Sequence, residues 1–172
     1  DVATIQSISG ATLTLSTALK YKHLGAIRTV GTSKVDVRAE AGRLNRNIVV
    51  QGDASSTTSK IGGHAMFMAG GPTTVQIANA EFRRMGQHNQ LGRYPLHFHL
   101  MENGCKDCYV KDSSVRDTIQ RGIVVHGTSG VTVAGNVVFN TVGHNIFIED
   151  EKTTGNLIDR NLALVNKQPK PL

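Results

Sequence analysis

The sequence has no tryptophan, only 5% aromatic residues, two cysteines and four prolines in 172 residues. What replaces them is glycine, 18 residues, and asparagine, 11, set among many valines and isoleucines. This balance excludes a helical bundle and fits short strands joined by tight turns. No apolar run reaches the roughly 18 residues that a membrane-spanning helix needs. Charged residues are also scarce, at 19%, but apolar residues recur along the whole length, which excludes long disorder. The sequence opens on Asp1 with neither an initiator methionine nor a signal-peptide pattern, so any targeting segment is expected to have been removed or to lie outside these residues.

The net charge of +6 is spread out. Residues 1–60 carry eight Lys/Arg against four Asp/Glu, residues 61–130 seven against five, and residues 131–172 four against four. There is no basic run and no interleaving of basic and aromatic residues, so nucleic acid is not an expected partner. A solvated basic surface is the simple reading, and an acidic polysaccharide is the partner class that remains. The cysteines form a single C-x-x-C, Cys105 and Cys108. One such pair cannot supply four zinc ligands, and Gly104 before it with Tyr109–Val110 after it does not suit a redox motif at a helix N-terminus. A local disulfide in a turn and two idle thiols both fit.

Residues 1–22 read as a hairpin, with alternation over Thr4–Ile8 and Thr12–Leu15 around Ser9–Gly10. Val35–Arg38 and Asn47–Gln51 are further strand candidates, and Ser55–Ser59 reads as a polar loop. No apolar stripe of helical period lasts beyond a turn.

Internal repetition carries more information. Val110–His126 overlies Val133–Glu149 at an offset of 23 residues: Ser114 and Val115 fall on Val137 and Val138, Asp117 and Thr118 on Asn140 and Thr141, and Gly122–Val125 on Asn145–Ile148. Gly135–Val138 recurs as Arg160–Ala163 after 25 residues. Ala80–Arg83 matches Ser113–Arg116 at 33, a copy longer by about ten residues. A fixed period with two or three short strands per copy predicts an all-β parallel β-helix, each coil stacking apolar residues inside and ladders running coil to coil. An antiparallel sandwich would show no such period. Asparagines at equivalent turns are expected to stack their amides, and glycines to supply positive φ at corners.

The motifs Gly62–Met68, Phe82–Gln87, Gly92–His99, Val125–Thr128 and Asn136–His144, ending in Glu149 and Asp150, resemble the G8-domain and PbH1-repeat proteins. That family includes the fibrocystin-type proteins and the cell-migration-inducing and transmembrane cell-surface hyaluronidases. The resemblance runs from about Thr4 to Leu164. It implies a right-handed parallel β-helix preceded by a β-rich G8 domain. Residues 1–50 would then be the tail of the G8 domain and its junction, and residues 51–172 the β-helix. It also implies an extracellular or cell-surface setting and, in some members, binding or depolymerisation of hyaluronan. The end at Lys167–Leu172 has no amphipathic cap, as expected of a solenoid that is part of a larger polypeptide.

The repeat register assigns faces. In Leu96–His99, alternation sets Leu96 and Phe98 inside and both histidines outside. The equivalents Ile123–His126 and Ile146–Glu149 put Leu96, Ile123 and Ile146 in one interior stack and Phe98, Val125 and Ile148 in another. His99, His126 and Glu149 then form an outward column about 4.8 Å apart, with His97, Val124 and Phe147 beside it. Such a column suits general acid–base chemistry on a sugar, with His97, His99, His126 and Glu149 as candidate catalytic residues. It equally suits a divalent metal ion, with His99, His126, Glu149 and Asp150 as ligands. A two-carboxylate glycosidase site, which wants acids roughly 5–9 Å apart, has less support. The plain alternative is that the histidines bond loop backbone and stiffen the coil.

Arg93, Arg121, His144 and Tyr94 are candidate substrate-binding residues, the arginines for a sugar carboxylate and Tyr94 for stacking or for the core rim. Arg83 and Arg84 read more simply as solvated surface. The insertion Gly86–Gly92 is a candidate lid, and His64 a turn or packing residue. Two functions follow as expectations: carbohydrate binding or processing, hyaluronidase-like by the resemblance, or a structural and adhesive module without catalysis.

Overall fold

The computed structural model describes residues 1–68, 70–150 and 152–168. The chain divides into two compact units, Asp1–Ala41 and Gly42–Leu172. The first unit holds two antiparallel hairpins. β1 (Ile5–Ser9) pairs with β2 (Thr12–Leu15), Ile8 facing Leu13, and β3 (Ile27–Val30) pairs with β4 (Ser33–Asp36). The expected strand Val35–Arg38 is thus shifted toward the N-terminus. The turn at Gly31, φ +60°, sets the pairing, and the strand ends where Asp36 Oδ1 accepts the Arg38 amide.

The second unit is a parallel β-helix. Its first strand, β5 (Ile48–Gln51), is followed by one helical turn, α1 (Ser56–Ser59), where the sequence suggested a loop. Asp53 accounts for the difference, since its Oδ1 accepts both the Ser56 amide and the Ser55 hydroxyl at the N-terminal end. Then come β6 (Ala65–Phe67), β7 (Gln76–Ala78), β8 (Ala80–Arg83), β9 (Leu96–Glu102), β10 (Tyr109–Lys111), β11 (Ser114–Arg116) and β12 (Ile123–Thr128). They are followed by β13 (Thr132–Ala134), β14 (Val137–Val142), β15 (Ile146–Ile148), β16 (Leu157–Asp159) and β17 (Leu162–Lys167). Three parallel sheets form its faces, in the orders β7-β10-β13-β16, β5-β8-β11-β14-β17 and β6-β9-β12-β15.

The offsets read from the sequence are the ladder registers. Val110 pairs with Val133, Ser114 with Val137 and Ile123 with Ile146, each 23 apart. Val137 pairs with Leu162 and Glu81 with Ser114, at 25 and 33. Leu96, Phe98, Val110, Val115, Ile123, Val125, Val133 and Val138 are all fully buried. Ile148, expected inside, is 37% exposed because β15 is the edge strand of its sheet and no further strand among the described residues pairs with it.

The corners are as regular as the strands. Asn79, Asp112, Gly135 and Arg160 follow equivalent strand ends, and all have positive φ; Arg84 and Asp117, just past β8 and β11, and Asn140 and Val165, inside β14 and β17, share the next such position and also have positive φ. Asn136 supplies the expected amide stack. Buried, it accepts the Ser113 amide at 3.0 Å and donates to Val110 O at 2.8 Å and Asn161 Oδ1 at 3.0 Å. Asn136→Ala strands the Ser113 amide and the Val110 carbonyl, and is expected to cost about 2–3 kcal/mol. Denaturant unfolding checks this, and a loss below about 0.5 kcal/mol, typical of a surface change, would mean the stack is decorative.

The outer face of the β5-β8-β11-β14-β17 sheet is crossed by the segment leading into β5. A side chain at Gly42 would collide with Val137 and Leu162, and the Arg46 amide donates to buried Glu81. The adjacent face, β6-β9-β12-β15, carries the histidines. Cys105 and Cys108 are joined as a disulfide in the turn between β9 and β10.

Candidate functional site

Alternation along β9, β12 and β15 brings His99, His126 and Glu149 to one side of the coil. His126 pairs with His99 in the ladder, and the Glu149 amide continues it by donating to Val125 O. Their side chains meet: Nδ1 of His99 lies 3.1 Å from Nδ1 of His126, and Nδ1 of His126 lies 3.8 Å from Glu149 Oε2. All three are partly exposed, so the predicted column exists as an accessible feature. Asp150 approaches the other edge of His126, 3.9 Å from Nε2.

His97 sits beside the column but is 1% exposed. Its ring packs between Tyr94, centroids 4.8 Å apart, and the rings of His99 at 4.8 Å and His126 at 5.9 Å. Nδ1 of His97 bonds Gly92 O at 3.0 Å, which fixes the proton on Nδ1. Nε2 is then a buried lone pair, and it has no hydrogen-bond partner among the described residues. The insertion Gly86–Gly92 therefore orients His97 through a backbone carbonyl. Gly92 has φ +80°, and a side chain there would press on Met66 Cε at 3.2 Å.

Burial pushes the His97 pKa down from 6.5 to about 4; neighbouring His99 and His126 add to the shift, and the Gly92 bond and Glu149 oppose it. His99 is lowered too, first by burial and then by His126. Above pH 6.5 His97 is neutral whether the chain is folded or not. Between 6.5 and 4 the unfolded chain takes up a proton that the folded chain refuses, so stability is lost as the pH is lowered through that window. Lowering the pH through that window is expected to cost about 1–3 kcal/mol of stability. Denaturant midpoints against pH in chelator-treated protein measure it. His97→Asn should flatten the profile, and an unaltered slope in that variant would assign the effect elsewhere.

Arg121 organises the far side of the column. Its Nη1 donates to Tyr94 Oη at 2.9 Å and to Glu149 Oε1 at 2.8 Å, and its guanidinium lies 4.5 Å from the Phe147 ring centroid. The other guanidinium nitrogens make no hydrogen bond among the described residues and stay available to an anion. Tyr94, a candidate for sugar stacking, is 1% exposed and has no free face; it positions Arg121 instead. His144 is exposed and stacks on Phe147 with centroids 4.4 Å apart, so Phe147, in the alternation but not among the candidates, supports both. Arg93 is exposed, and its Nη1 donates to His64 Nε2 at 2.6 Å rather than to any member of the column. Arg83 and Arg84 both hold Gln51, outside this face.

A family model described as the CEMIP beta-helix matches residues 60–172, the segment that holds every strand of this face. The chain belongs to the CEMIP β-helix family. Among its relatives, a G8 domain-containing protein of Dictyostelium discoideum is 41% identical over 95% of this chain and 10% of its own length. The cell surface hyaluronidase CEMIP2 of Homo sapiens is 35% identical over 86% of this chain and 12% of its own length. The cell surface hyaluronidase of Danio rerio is 30% identical, with 86% and 12% covered. The chain thus spans between 10% and 14% of the length of these and other curated relatives it matches. No solved structure matches it.

Proposed function

We propose that this β-helix processes an anionic glycan, with hyaluronan as the substrate, at the cell surface or outside the cell. The observation that carries this reading is the convergence of His99, His126 and Glu149 on one accessible face beside an arginine with donors to spare. Arg121 is placed to take a uronate carboxylate through the nitrogens that Tyr94 and Glu149 leave free. Glu149 is placed to hold or move a proton at a sugar or water oxygen, and the imidazoles to bind on the same side. The relatives named cell surface hyaluronidases support the substrate, and the disulfide supports an oxidising compartment.

Binding of hyaluronan oligosaccharides to the intact protein, measured at low and high salt, tests the reading. Site-directed binding should persist at high salt and weaken when His99 and His126 are replaced. Binding by diffuse positive charge alone would fade steeply with salt and survive those replacements. No binding at all, with hyaluronan chain length unchanged, would favour a structural or adhesive module.

A further inference from the structure

The geometry points to a transition-metal centre of the zinc class on this face, ligated by Nε2 of His97, Nδ1 of His99 and Nδ1 of His126, with a position left open to solvent. It deepens the glycan-processing reading and rests on it for the metal's purpose, though not for its presence.

The first observation is the lone pair of His97. The residue is 1% exposed, its Nδ1 proton is committed to Gly92 O, and its buried Nε2 has no hydrogen-bond partner among the described residues. A buried acceptor left this way is costly, and packing alone gives no reason to place an imidazole there instead of a phenylalanine. A cation between the three rings satisfies it.

The second observation is the spacing. One ring nitrogen from each of His97, His99 and His126 lies within 4.8 Å of the others, and the His99–His126 pair is already at 3.1 Å. Zinc–nitrogen bonds of about 2.0–2.1 Å at tetrahedral angles set ligand nitrogens about 3.3 Å apart, so small ring rotations complete the set. Here the ligand set differs from the His99, His126, Glu149 and Asp150 expected from the sequence, with His97 brought in and the carboxylates moved outward.

The third observation is what surrounds the ligands. Metal-bound histidines donate their remaining N–H to a carbonyl or carboxylate, which fixes tautomer and orientation. Gly92 O does this for His97, and Asp150 Oδ2, 3.9 Å from Nε2 of His126, is in place to do it for His126. Glu149, held by Arg121, stands 3.8 Å from the His126 ligand atom, beside the open position. Three nitrogen donors without a cage of oxygens select zinc, cobalt, nickel or copper over calcium or magnesium. The ligands stand on adjacent parallel strands, which makes the site rigid before any metal arrives.

Titration of chelator-treated intact protein with zinc, and separately with cobalt(II), tests the inference without reference to activity. A single tight equivalent is expected, and cobalt should give the visible ligand-field absorption of a four-coordinate site. His97→Asn keeps a side-chain N–H for Gly92 O and deletes Nε2, while His126→Ala removes a rim ligand without touching the core. Each should weaken binding at least about 100-fold, and Asp150→Asn by about 10-fold. Should His97→Asn fail to fold, His126→Ala decides. Absence of a stoichiometric site, or one that survives His126→Ala, overturns the metal centre. Hyaluronan chain length in the same samples separates the two readings. Bound metal with unchanged chains overturns glycan processing alone, and chelator-insensitive shortening by metal-free protein overturns the metal's part in that processing while the titration decides its presence.

Discussion

Replacing Glu81 with alanine is expected to lower the stability of the β-helix by about 3–5 kcal/mol, the cost of breaking a buried ion pair from one side. Glu81 is 2% exposed on the outer face of β8. Arg116 approaches its Oε1 at 2.7 Å through Nη2, Arg83 lies at 3.7 Å, and the Arg46 amide donates to Oε2 at 3.2 Å. Removal leaves two cationic side chains and the crossing segment without their shared acceptor. Glu81→Gln keeps acceptor geometry without the charge and should lose less. Equilibrium denaturant unfolding of both variants is the check. A loss below about 1 kcal/mol for the alanine variant would mean that water replaces the carboxylate and the crossing segment is only loosely attached.

The second large effect concerns chemistry. His99→Ala combined with His126→Ala should slow hyaluronan cleavage by at least about 100-fold, at the low end of what positioned acid–base or ligand groups contribute. Both side chains are partly exposed, so stability should change little beyond the loss of their mutual contact. Rates from the shortening of hyaluronan chains, alongside unfolding curves for the same preparations, distinguish lost chemistry from lost fold. A doubly substituted protein that cleaves at the original rate would remove the histidines from the reaction.

The β-helix was readable in the sequence because parallel coils force equivalent residues into one register. Val110 on Val133, Ser114 on Val137 and Ile123 on Ile146 are at once sequence offsets and ladder partners. Asn136 was readable for the same reason, recurring at Asn161 on the neighbouring coil. The column of His99, His126 and Glu149 followed from alternation alone. What alternation does not carry is coverage of the outer faces. His97 and Tyr94 stand at outward positions or loop ends, yet both are buried: Gly92 closes on His97 through its carbonyl, and Tyr94 packs against His97 and Arg121. Glu81 looks like a surface residue until Arg46, 35 positions earlier, crosses above it. Ile148 fails in the opposite sense, an interior residue left exposed at a sheet edge. These depend on where a segment distant in sequence lies, and no local pattern encodes that.

The most direct test of the proposed site is the molar mass of hyaluronan incubated with the intact protein, followed over time by size-exclusion chromatography with light scattering. Wild-type protein should shorten the chains progressively, and an equally stable His99→Ala/His126→Ala protein should leave them at their starting length. Chains of constant length with the wild-type protein, or equal shortening by both, would contradict the assignment of glycan processing to this face.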